Sequence, residues 1–352
     1  RAPVRVDLAG GTLDIWPIYL FVPYASTINL GIDLFAQATL KQEARGSEIV
    51  LEALDQKTEL KLPWSALQSE VHVPPALDLH WRLVKLFAQK KQQLPLQSRL
   101  ILSTKAQSPA GAGLGGSSAL TVAMIGALEV WLTGKTLLNP EHDGLRLIDI
   151  VSDIETQVIK VPAGLQDYFG AMYGGLQTIY WDIAQITRRS HDESMLKEIE
   201  KRLLLFYSGQ SRNSGINNWV LFKKYIDRDS KTIDQFTQIA QATQKLDQAL
   251  KQKNWDGITQ AIADEWKTRH GLAPGISTPE IDQALAEAQK LGAKAFKICG
   301  AGGGGCFFVL APDSRPQTLD ALKTTVTKQN SGIRHLEYKA TPRGLNVKAD
   351  YA

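Results

Sequence analysis

Apolar and polar residues alternate along much of the first hundred positions. RAPVRVDLAG, STINLGIDLFAQATLKQE and SEIVLEA carry Val, Ile, Leu, Phe and Thr with stretches of period-two spacing, which predicts β-strands. In LDLHWRLVKLFAQKKQQ the period changes: Leu79, Leu83, Leu86 and Phe87 recur at helical intervals, and Pro95 closes the element. SRLILST predicts a short strand that runs straight into SPAGAGLGGSSAL, residues 108–120. The run from Ser117 to Leu132 is apolar almost all round, so a buried helix is expected rather than a surface one. A second helix is expected after Pro140, through LRLIDIVSDIETQVI, followed by the turn KVPAGLQDYFGAMYGG and the strand LQTIYWDI.

The pattern breaks at about 184–200, where AQITRRSHDESMLKEIEKR is polar and charged. A domain boundary is expected there, giving units 1–190 and 191–352. A chain of 352 residues is also longer than one core usually serves. The second unit opens with the strand LLLFYS and continues through amphipathic helices such as DQFTQIAQATQKLDQALKQ and TPEIDQALAEAQKL. Two strands then flank five glycines in six positions, in AKAFKICGAGGGGCFFVLAP.

Composition narrows the class without naming it. Hydrophobic residues at 43% and charged ones at 22% describe an ordinary globular protein. The net charge of +4 is spread along the chain with no basic block, which argues against nucleic acid or a membrane surface as partner. Two cysteines, Cys299 and Cys306, exclude a disulfide framework and favour a reducing compartment, so a cytoplasmic location is expected. No stretch resembles a membrane span or a signal peptide. The chain opens at Arg1 rather than Met, so a few residues are expected to precede it. Monomer and homodimer both stay open.

The loop at 108–120 raises the chemical question. Strand, glycine loop, then helix N-terminus is the recipe for a phosphate site, because backbone N–H groups converge and missing side chains allow close approach. The P-loop pattern fails: the Gly-Lys-Thr at 134–136 has Glu129 where its first glycine should stand. The dinucleotide pattern GxGxxG matches at Gly111, Gly113 and Gly116, and again at Gly300, Gly302 and Gly305. The second match leads into a strand rather than a helix. The bland alternative is two tight turns.

PAGAGLGGSSA, from Pro109 to Ala119, resembles the second motif of the GHMP small-molecule kinases, with Gly116 where a serine is common. RAPVRVDLAGGTLD resembles the first motif and KICGAGGGGCFF the third. Within the family, the opening motif, FYSGQSRNSG and DEWKTRHGLAPGISTPEID are similar to segments of heptose 7-phosphate kinases and fucokinase-type enzymes. Galactokinases carry a Glu and a His where this chain has Gly11 and Thr12, which counts against galactose itself. The resemblance implies an α+β fold of two domains, the first like ribosomal protein S5 domain 2 and the second ferredoxin-like. It also implies an ATP- and Mg²⁺-dependent kinase acting on a small-molecule sugar or sugar phosphate. A mevalonate- or homoserine-type kinase is the alternative within the family. A nucleotide-dependent oxidoreductase and a non-catalytic nucleotide-binding regulator are the alternatives outside that activity.

The resemblance also assigns roles. Asp167 in GLQDYFG would accept the proton of the attacking hydroxyl, and Arg5 would stand beside it and neutralise transferring charge. Pro109, Gly111, Gly113, Leu114, Gly115, Gly116, Ser117 and Ser118 would form the ATP loop. Ser117 or Ser118 with Glu155 would hold magnesium, and Glu129 is the competing carboxylate. Gly11, Thr12 and Asp14 would bind the acceptor, Gly302, Gly303 and Gly304 would line the cleft, and Arg212 would hold a phosphate already on the substrate. The histidines, His80 and His270 among them, share no metal-ligand spacing and read as structural.

Overall fold

The computed structural model describes residues 1–135, 138–211 and 215–350, with residues 215–218 described by backbone alone. β1 (Ala2–Ala9), β2 (Ser26–Glu43), β3 (Glu48–Ala53), β4 (Thr58–Pro63), β5 (Arg99–Ala106), β6 (Leu176–Tyr180) and β7 (Thr187–Ser190) build one sheet in the order β4-β3-β5-β2-β6-β7. The alternating segments form β1, β2 and β3, and the strands expected at SRLILST and LQTIYWDI form β5 and β6. The 18-residue β2 is its spine: β1 and β6 pair with its first part and β5 with its second. Only the β3–β5 pair is parallel among these ladders. A largely antiparallel sheet lacks the parallel βαβ context that a dinucleotide fingerprint requires, so the GxGxxG match at Gly111 does not mark a dinucleotide fold.

Helices α1 (Ile18–Phe21), α2 (Asp78–Lys90), α3 (Gly116–Thr133), α4 (Pro140–Ile159) and α5 (Gln166–Tyr173) accompany this sheet. The all-round apolar α3 is the expected buried helix. It is long and apolar enough to cross a membrane by composition, yet it packs against β1, β2 and β5 as well as α2, α4 and α5.

The second sheet contains β8 (Leu203–Tyr207), β9 (Ala295–Ile298), β10 (Cys306–Leu310) and β11 (Arg334–Leu336) in the antiparallel order β11-β8-β10-β9, the ferredoxin-like arrangement. Its helices are α6 (Glu193–Arg202), α7 (Gly215–Ile226), α8 (Ser230–Gln252), α9 (Trp255–His270), α10 (Pro279–Lys290) and α11 (Pro316–Lys328). Period-two alternation sorts β8 onto two cores. Leu203 and Leu205 join Ile239 and Leu246 of α8 in the large core shared with the first sheet. Leu204 and Phe206 face a separate core with Ile281, Leu285 and Leu322.

Two features depart from the sequence reading. The polar stretch at 184–200 is an edge strand, β7, followed by α6, which buries only Met195, Leu196 and Ile199. A polar composition suits a sheet edge, where one side faces solvent. The chain end also crosses the expected boundary: Thr341 N–H donates to the Gly31 carbonyl at 2.9 Å and Leu345 N–H to the Met172 carbonyl at 3.0 Å. Residues near 340 thus extend the first sheet's backbone bonding, a long-range return that local periodicity does not encode.

Phe307 on β10 is fully buried and stacks on Phe206 with ring centroids 5.4 Å apart. Phe307→Ala is expected to cost about 3–5 kcal/mol of unfolding free energy, measured by urea titration; a loss below about 1 kcal/mol would show that this core closes over the gap.

Candidate active site

The motif-two loop passes from β5 to α3 with Gly111, Gly113 and Gly115 at φ of 67°, 76° and 71°, left-handed values that suit glycine. Gly115 stands at the helix N-cap position and no side chain caps the helix. The first-turn N–H groups of Gly116, Ser117 and Ser118 lack intrahelical partners by their position, which with the helix dipole makes an anion site. A Cβ on Gly115 would lie 3.1 Å from Cγ of Asp167, so a side chain there would press on that carboxylate as well as strain the left-handed backbone. A Cβ on Gly116, where a serine is common in the family pattern, would come within 2.7 Å of Ser108 Oγ, a contact that rotation of that hydroxyl relieves.

Arg5 ties this loop to Asp167. Its Nε donates to Asp167 Oδ1 at 2.9 Å, Nη2 reaches the same oxygen, Nη1 donates to the Gly113 carbonyl at 2.7 Å, and its N–H donates to the Leu114 carbonyl at 3.0 Å. Arg5 is buried, and burial works to lower its pKa; the Asp167 and Asp7 charges outweigh that and raise it. The pair meets because α5 lies close on β1: a Cβ on Gly170 would sit 2.8 Å from Arg5 Cβ. Among the described residues nothing bonds Asp167 Oδ2, and Asp167 lines the cleft.

Glu155 on α4 gathers three hydroxyls. Ser117 Oγ donates to Oε1 at 2.9 Å, Ser118 Oγ to Oε2 at 3.3 Å and Tyr168 OH to Oε2 at 2.7 Å. Burial raises the Glu155 pKa, opposed by those hydroxyls. A buried carboxylate with only neutral hydroxyl partners, beside a phosphate-type loop, is an oxygen-donor set that fits Mg²⁺, which needs one or two protein groups besides phosphates and water. Glu129 lies elsewhere, paired with Arg146 at 2.5 Å.

In the same cleft, Asp14 Oδ2 accepts from the Gln166 N–H at 3.0 Å and so takes up the first N–H of α5, the helix that carries Asp167. Gly11, Thr12 and Asp14 line the same cleft of about 920 Å³ as Arg5, the glycine loop and Glu155. The same cleft is also lined by Asp55, Gln56, Pro75, Ala76, Leu79 and His80. Burial drives the Asp14 pKa up to about 6.

Several expected site residues stand elsewhere. Leu114 is buried in the core and contributes its carbonyl to Arg5 rather than a cleft surface. Gly300 and Ala301, not Gly302, Gly303 and Gly304, line the cleft. Gly303 N–H donates to the Ile276 carbonyl at 2.8 Å, and a Cβ on Gly304 would lie 3.3 Å from the Gln210 carbonyl oxygen. Arg212 lies outside the described residues. His80, read as structural, lines the cleft, with Nε2 2.7 Å from Thr104 Oγ1. Tyr168 and Ser108 went unread because a lone hydroxyl carries no spacing signal.

A glycine-loop helix N-terminus facing a guanidinium–carboxylate pair, with a second buried carboxylate nearby, is an arrangement suited to phosphoryl transfer. Comparison with known proteins agrees. The GHMP kinases N terminal domain matches residues 78–175 and the GHMP kinases C terminal matches residues 247–328. This chain belongs to the GHMP kinase family. It is 26% identical over 328 residues to the D-glycero-alpha-D-manno-heptose 7-phosphate kinase of Campylobacter jejuni, spanning 92% of each chain. It is 22% identical to the L-fucokinase/L-fucose-1-P guanylyltransferase of Bacteroides fragilis, across 99% of this chain and 38% of that protein. In structure it resembles a D-glycero-D-manno-heptose 1-phosphate kinase from Bacteroides thetaiotaomicron, with a TM-score of 0.75, 18% identity, and coverage of 100% and 98% of the two chains.

The Asp14 environment predicts a pH dependence. Folding raises its pKa from 3.8 to about 6, so its contribution to stability is full below pH 4 and lost as pH rises through 6. Asp14→Asn is therefore expected to be more stable than the parent at pH 8 by up to about 3 kcal/mol, with the gap shrinking as pH falls from 6 to 4. Denaturant titrations across that range check it; a gap independent of pH contradicts it.

Proposed function

We propose that this protein is an ATP-dependent kinase that phosphorylates a hydroxyl of a sugar or sugar phosphate, a heptose 7-phosphate or a related hexose. The observation that carries the reading is the bond from the Gln166 N–H to Asp14. It joins the acceptor carboxylate to the turn that presents Asp167, while Arg5 joins Asp167 to the glycine loop. Acceptor, base and phosphate sites thereby share one connected scaffold. The similarity to the Campylobacter heptose kinase over nearly the full length of both chains supports the sugar class.

In this reading the triphosphate lies on the N–H groups that open α3, and the acceptor lies over Gly11, Thr12 and Asp14. Asp14 would accept hydrogen bonds from sugar hydroxyls and fix which of them faces Asp167. As the acceptor oxygen bonds to the γ-phosphorus, the bond from that phosphorus to the bridging oxygen of ADP breaks, and the acceptor proton passes to Asp167 Oδ2. Arg5, pinned at Oδ1, would hold the carboxylate in place and offset charge on the moving phosphoryl group. Glu155 with Ser117 or Ser118 would hold Mg²⁺, which when bound neutralises charge on the phosphate oxygens.

The test is ADP release with ATP and Mg²⁺ against D-glycero-D-manno-heptose 7-phosphate, L-fucose, D-galactose and mevalonate. Sugar-dependent release is expected, and a response to mevalonate alone contradicts the sugar reading. Asp167→Asn should lower turnover roughly 10²-fold or more with little change in ATP affinity. Arg5→Lys should hurt less than Arg5→Met, and a double variant with Asp167→Asn should lose less than the product of the single losses. Glu155→Gln should raise the Mg²⁺ concentration needed for ATP binding, measured by calorimetry. Normal Mg²⁺ dependence in that variant, with loss in Glu129→Gln, would transfer the role to Glu129.

A further inference from the structure

A second buried ionic assembly lies beneath the acceptor loop. Asp7, Glu265 and Lys297 are fully buried and Arg269 is 2% exposed. Lys297 Nζ lies 2.7 Å from Asp7 Oδ2 and 3.8 Å from Glu265 Oε1, and donates to the Asp7 carbonyl at 3.1 Å. Arg269 donates from Nε and Nη2 to Glu265 Oε1 at 2.8 and 2.6 Å. Two anions balance two cations, yet desolvating four charges is expensive, and an apolar contact would join the two halves of the chain at least as well. Adhesion alone therefore does not account for it.

What the assembly does locally is hold three consecutive loop residues. Glu265 Oε1 accepts from the Gly10 N–H at 3.2 Å. Arg269 Nη2 donates to the Gly11 carbonyl at 2.7 Å, and Nη1 lies 3.4 Å from Thr12 Oγ1. This loop needs holding: Gly10 has φ of 84° and Thr12 has φ of 76°, a left-handed value that a β-branched residue adopts only against strain. A Cβ on Gly11 would lie 2.4 Å from Asp7 Oδ2, so the loop lies directly on the charges. Thr12 and Asp14 face the cleft from the same loop. Glu265 and Arg269 belong to DEWKTRHG, a segment that the phosphate site does not use.

We propose that Arg269, fixed by Glu265, is a positioning residue for the acceptor: it sets the 10–14 loop so that Thr12 and Asp14 present their oxygens to the sugar. Acceptor affinity is thereby governed from the C-terminal half of the chain. The inference rests on the sugar-kinase reading. Its distinguishing consequence is a split, because none of the described hydrogen bonds of Glu265 or Arg269 reaches the glycine loop at 108–118.

The experiment compares wild type with Arg269→Lys, which keeps a cation beside Glu265 but loses the planar fork, and with Thr12→Val. The acceptor is whichever of D-glycero-D-manno-heptose 7-phosphate, L-fucose and D-galactose wild type phosphorylates fastest. Arg269→Lys should raise the acceptor KM roughly 10-fold or more, with the ATP Kd by calorimetry within about twofold. The Arg269→Lys/Thr12→Val double variant should lose less than the product of the two single losses, since one acts through the other. If Arg269→Lys does not fold, the charge-neutral pair Glu265→Gln/Arg269→Gln takes its place with the same expected split. An unchanged acceptor KM, or equal weakening of acceptor and ATP, overturns the inference while wild type remains active. A wild type with no sugar-dependent ADP release removes the sugar-kinase reading and the inference with it.

Discussion

The architecture of the site depends on one buried guanidinium. Arg5 bonds the Asp167 carboxylate and the Gly113 carbonyl through its side chain and the Leu114 carbonyl through its backbone. A cation in that position must have all its donors met, because an unpaired buried charge is strongly destabilising. Three segments far apart in sequence are therefore held in one arrangement: β1, the glycine loop and α5. Glycine stands where those segments press together. Gly170 makes room for the stem of Arg5, and Gly115 makes room for Asp167.

The same logic operates beneath the 10–14 loop with different chemistry. There Asp7, Lys297, Glu265 and Arg269 form a neutral set of four charges between β1, β9 and α9. Burial would raise the Asp7 pKa, but Lys297, Arg269 and Arg5 together lower it. Arg5 and Asp7 sit two residues apart on β1, both buried, so one short strand carries a partner for each ionic assembly. Asp14 then closes the circuit by taking up the first N–H of α5. Two loops that line the cleft are consequently tied to buried ionic groups, which favours a preorganised site over one assembled by substrate.

How much of this was legible follows from what each signal depends on. Period-two alternation located β1, β2 and β3, short apolar runs located β5 and β8, and the all-round apolar run located α3, because local spacing reports burial directly. The ferredoxin-like second sheet and the pairing of Arg5 with Asp167 followed from motif resemblance, not from periodicity. The edge strand β7 was hidden by its polar composition, and the return of residues near 340 to β2 was hidden by its range. In the site, loops with dense glycine stood out, but which glycines face the cleft did not: Gly300 does and Gly302–Gly304 do not. Glu265 and Arg269 lie in a segment similar to heptose kinases and Tyr168 beside Asp167, but no spacing assigns any of them a role, which exists only where the chain folds them together.

If the protein is a sugar kinase, its cleft moves a phosphoryl group from ATP to a sugar hydroxyl. Phosphorus NMR of wild-type protein with ATP, Mg²⁺ and the candidate sugars tests it most directly, because it reports the product and the nucleotide at once. Such transfer should give a new phosphomonoester resonance that grows one for one with ADP and is absent when sugar is withheld. ADP accompanied only by inorganic phosphate, or ATP left intact with every sugar, would contradict it.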